Sequence, residues 1–259
     1  MKLYRCGENG VNKTSGSEAS STDRTRTGVL YVIAVPIGHL DDLTLRAHRI
    51  LGDVDLIASE NPETTQRLLA HHRINATVTS YGPAPLKDKI AVLMVRLQQG
   101  AHIALVSDCG TPVLADPGCL LVAAAHSGGI PVVSVPGPSA LTAAVAASGF
   151  PCDSLYFRGP LQETKSGIRH DLADGLRRQS PTVLFCAPSS IADALNTIAR
   201  LAPRRRLALV CDLTQPTEVI VRGTARQALK QLDAVLSTQN ITLILAGRKL
   251  TGGGRTRRD

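Results

Sequence analysis

Apolar positions in this chain fall into short continuous runs, separated by stretches with helical spacing. The first run, VLYVIAV at 29–35, has strand length and is stopped by Pro36 and Gly38. A run without polar alternation suits a strand buried on both faces, as in a parallel sheet. Leu43, Ala47, Ile50 and Leu51 then share one face of a helix over about 43–52. The pattern repeats, with strands at 54–59, 77–81, 102–107 and 131–135 and helices at about 63–72, 86–99 and 118–127. Such alternation predicts an α/β domain with a largely parallel sheet.

Beyond Pro136-Gly137-Pro138, a helix of small residues at 139–148 leads into a second set of elements. Strands are predicted at 154–159, 182–187, 206–211, 218–223 and 241–246, with helices at about 166–178, 189–201 and 224–233. Only six residues join 206–211 to 218–223, which predicts an antiparallel hairpin and hence a mixed sheet. The chain is therefore expected to divide into a disordered polar extension (1–28), an N-terminal α/β domain (29–137), a C-terminal α/β domain (138–247) and a basic tail (248–259). A cleft between two such domains is a preferred ligand site.

Composition narrows the function. Three Phe, four Tyr and no Trp weigh against an RNA-binding module built on aromatic platforms. Six cysteines form no C-x-x-C pair, so no zinc framework is recognisable and a reducing compartment fits. No apolar run approaches the roughly 18–20 residues of a membrane span, and Met1 to Thr27 lacks the apolar stretch of a signal peptide. A soluble, cytoplasmic protein with neither membrane nor metal partner is the expectation. The net charge is +8, of which residues 1–28 carry +2, 29–247 carry +2 and 248–259 carry +4. A basic tail attracts phosphates without sequence preference and equally serves as a solvated surface.

In open α/β sheets, ligands sit beyond the carboxyl ends of the strands. The loops there are PIGHLDDLT (36–44), DCGTPVLADPG (108–118) and PGPSA (136–140), all dense in Gly, Pro and small polar residues. Such residues let backbone groups approach a ligand closely. No G-x-G-x-x-G follows the first strand, and no P-loop, G-x-S-x-G or H-E-x-x-H occurs, which removes the commonest dinucleotide, nucleotide, hydrolase and zinc-protease readings.

Residues 30–58 (LYVIAVPIGHLDDLTLRAHRILGDVDLIAS), 105–118 (LVSDCGTPVLADPG) and 135–149 (VPGPSALTAAVAASG) resemble the tetrapyrrole-methylase superfamily. Within it they resemble the branch that methylates a cytidine ribose 2′-oxygen in the decoding region of small-subunit ribosomal RNA. The resemblance covers about 29–247 and implies two α/β domains with S-adenosylmethionine in the cleft between them, in a homodimer. Matching positions for cofactor contact are Pro36 in the first loop, Asp108, Gly110 and Thr111 after the fourth strand, and Ser139 and Ala140 at the start of the second domain. Cys186, Ala187 and Leu213 are weaker transfers of the same kind. The implied partner is small-subunit ribosomal RNA or the small subunit itself.

Departures from the family pattern fall on the loops that would face substrate. "EDTRxT" is here Glu60-Asn61-Pro62-Glu63-Thr64-Thr65, "YHEHN" is Tyr81-Gly82-Pro83-Ala84-Pro85, "FYESPHR" is Phe185-Cys186-Ala187-Pro188-Ser189-Ser190-Ile191, and "RELTK" is Cys211-Asp212-Leu213-Thr214-Gln215. Cationic groups are thus lost where RNA would lie. Two further readings stay open beside the RNA methyltransferase: a changed acceptor such as a tetrapyrrole, and a paralogue that binds cofactor without transferring methyl groups.

A ribose hydroxyl is a poor nucleophile, and a positioned carboxylate would assist it. Glu60 is the weak catalytic candidate, with helix capping as its other reading. Asp108 reads as a cofactor or loop-positioning residue. His71 and His72 diverge by about 100° on a helix and read as a solvated helix end. Cys109 reads as a space filler and Arg204-Arg205-Arg206 as a solvated loop or a phosphate contact.

Overall fold

The computed structural model describes residues 27–81 and 86–248. Residues 1–26 of the expected extension, 82–85 of the loop after Tyr81, and 249–259 of the basic tail lie outside the described residues. Among the described residues, ten strands form two five-stranded sheets.

The first sheet holds β1 (Leu30–Ile33), β2 (Leu56–Ser59), β3 (Val78–Ser80), β4 (Ile103–Val106) and β5 (Val132–Val135), in the order β3-β2-β4-β1-β5 and parallel throughout. Helices α1 (Leu45–Asp53) and α2 (Pro62–His71) cover one face, where Ala47, Leu51, Leu68 and Leu69 meet Ile33, Ile57 and Ala104. The other face packs on α3 (Leu86–Gln98) and α4 (Cys119–Ser127), with Leu93, Leu97, Leu121 and Ala125 against Leu30, Ile103 and Leu105. Burial on both faces explains why β2 and β4 read as unbroken apolar runs. Strand β1 is shorter than its apolar run. Ala34 follows β5 for one more bond, and Val35 turns to exchange backbone hydrogen bonds of 2.9 and 3.1 Å with Gly110.

Helix α5 (Ala140–Ser148) follows β5, so the expected boundary at 137–138 falls in the segment between them. The second sheet comprises β6 (Tyr156–Pro160), β7 (Thr182–Cys186), β8 (Arg206–Cys211), β9 (Val219–Thr224) and β10 (Ile241–Leu245), ordered β6-β7-β10-β8-β9. Only β6 and β7 are parallel, and β8 and β9 form the expected antiparallel hairpin. Its larger core packs α6 (Lys165–Arg177) and α7 (Pro188–Leu201) on one face, and α5 covers the other through Ala144 against Val183, Ala208, Val210 and Ile244.

The single helix expected over 224–233 is two short ones, α8 (Ala225–Leu229) and α9 (Leu232–Leu236). A capping box of Thr224 and Gln227 starts α8. The break at Lys230 and Gln231 lets Ala228 and Val235, both fully buried, reach the same core.

Asp171 on α6 has no solvent exposure; it accepts from the Arg158 guanidinium at 2.6 Å and from the Gln162 amide at 3.2 Å. Replacing it with Ala leaves both donors short of an acceptor. Asp171→Ala is expected to cost about 2 kcal/mol, read as a lower urea midpoint at unchanged m-value.

Candidate active site

Parallel pairing places the carboxyl ends of β1 to β5 on one edge, and the loops that leave them meet the second sheet there. A cavity of about 310 Å³ opens between the two. Ile37 and Cys109 wall it from the first domain, and Ala140, Phe185, Cys186, Ala187, Val210 and Leu213 from the second, with Glu163, Gln239, Asn240 and Thr242 as polar members. Of the nine positions proposed for cofactor contact, Ala140, Cys186, Ala187 and Leu213 line this cavity. Pro36, Asp108, Gly110, Thr111 and Ser139 do not, although Ile37 and Cys109 beside them do. The Thr111 hydroxyl donates to the Pro138 carbonyl at 3.2 Å, holding the 108–118 loop to the 136–140 loop. Ser139 instead lines a second opening of about 550 Å³ with Asp42, Thr44 and Thr214.

Backbone contact closes the cleft on one side. The His39 amide donates to the Thr214 hydroxyl at 2.8 Å, across the two domains. A Cβ at Gly38 would lie 2.5 Å from the Leu213 carbonyl oxygen and 2.6 Å from Thr214 Oγ1, so no larger residue fits. Gly110 has a positive φ of 76°, and a Cβ there would stand 3.3 Å from Ile37. On the far wall Asp212, 2% exposed, accepts from the amides of Gln239 and Asn240 at 3.0 and 2.8 Å and from the Thr217 hydroxyl at 2.9 Å.

Glu60 follows β2, which lies between β3 and β4. It therefore stands between Tyr81, after β3, and Asp108, after β4. The helix cap is Asn61, whose side chain accepts from the Glu63 amide at 3.1 Å, so Glu60 is free of that duty. The Asp116 carboxyl raises the proton affinity of Glu60, and the Asp108 backbone amide opposes that rise. Desolvation, reinforced by the charges of Asp116 and Asp108, pushes its pKa up to about 7. Asp116 is held by the Tyr81 hydroxyl at 2.9 Å and by the amides of Gly118 and Val113 at 2.6 and 3.3 Å. Tyr81 is buried and its pKa is raised, first by desolvation and then by Asp116, so it acts there as a donor. Asp108 is raised too, by desolvation first, with Asp116 adding to the rise and the Asn61 backbone amide opposing it.

Sequence reasoning offered Glu60 and Asp108 but missed Asp116 and Tyr81 as their partners. The available signal was topological: residues just past neighbouring parallel strands share an edge however far apart they are in the chain. The Cys109 thiol is raised by desolvation, then by Asp108 and Glu60, and stays protonated near neutrality. Glu60, Asp108 and Asp116 do not line the cavity, whereas Cys109, next to Asp108 in the chain, does. His71 and His72 are not merely solvated. His71 Nε2 pairs with Asp41 at 2.8 Å and His72 Nε2 with the Leu40 carbonyl at 2.8 Å, tying α2 to the 36–44 loop. Among the described residues, no group of three or more His, Cys, Asp and Glu side chains is placed to hold a metal, and no helix is long and apolar enough to cross a membrane.

A two-domain α/β fold with its site at the carboxyl edge of the parallel sheet defines a class shared with known methyltransferases. The fold resembles uroporphyrin-III C-methyltransferase from Thermus thermophilus (TM-score 0.61, 20% identity, 85% of this chain and 94% of that one). It also resembles cobalt precorrin-4 methyltransferase (TM-score 0.64, 18% identity, 84% and 94%). The family model "Tetrapyrrole (Corrin/Porphyrin) Methylases" matches residues 29–229, and the chain belongs to that family. Among curated relatives, a ribosomal RNA small subunit methyltransferase I of Thermotoga maritima is 34% identical over 223 residues, covering 86% of this chain and all of that protein. Proteins of the same name from Synechocystis sp. (37% identical; 85% of this chain, 79% of that one) and Xylella fastidiosa (40%; 76% and 72%) are also similar. Methyl transfer is the family's chemistry, and S-adenosylmethionine is its general methyl source.

The cavity suits such a cofactor. Its size falls within the usual range for small ligands, its walls are mainly apolar, and a few polar groups converge on it. Because Gly38 sets the distance between the loops, Gly38→Ala is expected to weaken S-adenosylmethionine binding about tenfold or more in calorimetry. Far-ultraviolet circular dichroism should stay unchanged.

Proposed function

We propose that this chain transfers a methyl group from S-adenosylmethionine to the 2′-oxygen of a cytidine ribose in the decoding region of small-subunit ribosomal RNA. The observation that carries the chemistry is Glu60, a carboxyl pushed up to about 7 at the carboxyl edge of the parallel sheet, the edge whose 108–118 loop lends Cys109 to the cavity wall. The acceptor is supported by relatives of 34–40% identity that bear the rRNA methyltransferase name.

The bound cofactor supplies an electrophilic methyl carbon on a sulfonium. Ala140, Cys186, Ala187 and Leu213 would hold it from the second domain, and the loops carrying Pro36, Asp108, Gly110, Thr111 and Ser139 from the other side. Alignment of the ribose oxygen behind the methyl carbon supplies much of the acceleration, and it requires fixed walls rather than mobile side chains. Glu60 in its ionised form accepts the hydroxyl proton as the bond forms. Asp116, fixed by Tyr81 and two amides, orients that carboxylate. Three carboxyl groups at this rim disfavour a polycarboxylate tetrapyrrole, whereas RNA can present a neutral ribose edge to them and keep its phosphates elsewhere. The reading extends to the cytoplasm, where small subunits are found. It also extends to a homodimer, for which Val92, Val95 and Leu120, exposed on α3 and α4, offer apolar surface.

The test is transfer of labelled methyl to small ribosomal subunits from cells that lack the family enzyme, followed by mapping. Label at a single decoding-region cytidine ribose is expected. Label on a tetrapyrrole, or intact cofactor binding with no label on any acceptor, would sink the reading.

A further inference from the structure

Charge is divided unequally between the domains. Residues 29–137 hold seven Lys and Arg against nine Asp and Glu, whereas residues 138–248 hold thirteen against eight. The excess collects at the end of the second sheet that lies away from the cleft. There β8 begins at Arg206 and β10 ends at Leu245. Arg204, Arg205, Arg206 and Arg248 surround a cavity of about 440 Å³ whose other walls are Ala202, Pro203, Ala246 and Gly247. Among the described residues, no carboxylate lines it.

This pocket is built rather than accidental. The Arg205 guanidinium donates at 2.6 Å to the Ala246 carbonyl and at 2.6 Å to the Leu176 carbonyl at the end of α6. The Arg248 amide donates to the Arg178 carbonyl at 3.0 Å. A Cβ at Gly247 would lie 2.0 Å from the Gln179 carbonyl oxygen, so only glycine lets this segment lie flat and bring Arg248 over the pocket. Arg205 feels the result: its pKa is lowered by desolvation and by the charge of Arg248.

Two other arginines in this domain find carboxylates, Arg158 with Asp171 and Arg178 with Asp174. Among the described residues, the side chains of Arg204, Arg206 and Arg248 have neither ion pair nor hydrogen bond. Convergent like charges without a counter-charge repel one another and favour the capture of an anion. Guanidinium groups match phosphate oxygens in bidentate geometry. The pocket walls offer only Ala, Pro and Gly between the arginines, without the aromatic or aliphatic anchors that mark protein interfaces.

We infer that the pocket formed by Arg204, Arg205, Arg206 and Arg248 is a second RNA contact, which takes phosphodiester groups of the acceptor RNA remote from the methylated ribose. The inference rests on the RNA reading of the active site. Four residue steps along β8, from Arg206 to Val210, at about 3.4 Å each, separate the pocket from the cleft by about 14 Å. A folded RNA reaches both places at once, and a single nucleotide does not. The cleft can then be walled by carboxylates and backbone, because the phosphates are held at the other end of the sheet.

The test compares the wild-type chain with Arg204→Ala/Arg206→Ala and with Arg248→Ala. Binding to protein-free small-subunit rRNA is followed as a function of salt, alongside steady-state methylation of small subunits. All three altered side chains are exposed, and melting temperatures serve as the folding control. The double variant is expected to bind RNA about tenfold more weakly. Its slope of log K against log salt should fall by about 0.7–0.9 per lost phosphate contact. KM should rise with kcat unchanged. Unchanged salt slope and KM would overturn the site, as would weakening seen with intact subunits but not with protein-free rRNA, which means a protein partner. If the wild-type chain methylates no RNA, yet its RNA binding depends on these arginines, the acceptor reading falls and the site stands.

Discussion

Two loops, 36–39 from the parallel sheet and 212–215 from the mixed one, touch through their backbones. That contact sets the spacing on one side of the cleft. Gly38 lies against the Leu213 carbonyl, and the His39 amide reaches Thr214. The second loop must be stiff for this to define a site, and Asp212 makes it so. Burial raises the pKa of Asp212 more than any other single influence, yet the hydrogen bonds from Asn240, Thr217 and Gln239 together carry it below its ordinary value. A buried carboxylate can remain ionised when its partners replace the lost water. Asp212 and Thr214 accept left-handed backbone, with φ of 44° and 66°, a local strain that the surrounding hydrogen bonds hold in place.

The opposite rim is governed by the parallel order β3-β2-β4. It brings Tyr81, Glu60 and Asp108 to one edge, and the 108–118 loop folds Asp116 back among them. Val113 and Ala115 in that loop have φ of 78° and 62°, unfavourable for residues with a Cβ. Asp116 draws in the amides of Val113 and Gly118, which fixes this turn and points its second oxygen at Tyr81. The same contacts that stabilise a strained loop thus crowd Glu60 with negative charge and add to the rise in proton affinity that desolvation causes.

Much of this was legible in the chain. The apolar runs at 54–59 and 102–107 gave β2 and β4 because strands buried on both faces need no polar alternation. The six-residue gap after 206–211 marked the hairpin. The Gly- and Pro-rich loops located the cleft for the same reason that Gly38 and Gly110 are needed there, close backbone approach. Which side chain faces the cavity was less legible. In a loop, neighbouring residues point in different directions, so Ile37 and Cys109 form the wall and Pro36 and Asp108 do not. Gln239 and Asn240 went unseen because they reach the cavity only through their clamp on Asp212. The break in the helix after Leu229 was hidden because intrinsic helix preference favours continuity across Lys230 and Gln231, and packing of Val235 decides otherwise.

Electrostatics divides the molecule into a reaction rim poor in cations and a distant end rich in them. The chemistry depends on the first of these. Single-turnover methyl transfer, measured between pH 5.5 and 9, tests it most directly. Glu60 works when deprotonated, and its pKa is raised to about 7. The rate should therefore climb about tenfold per unit below that pH and level off above it, and Glu60→Gln should be slow with this inflection gone. A wild-type profile that is flat across the range, or an inflection near 7 that persists in Glu60→Gln, would contradict the account.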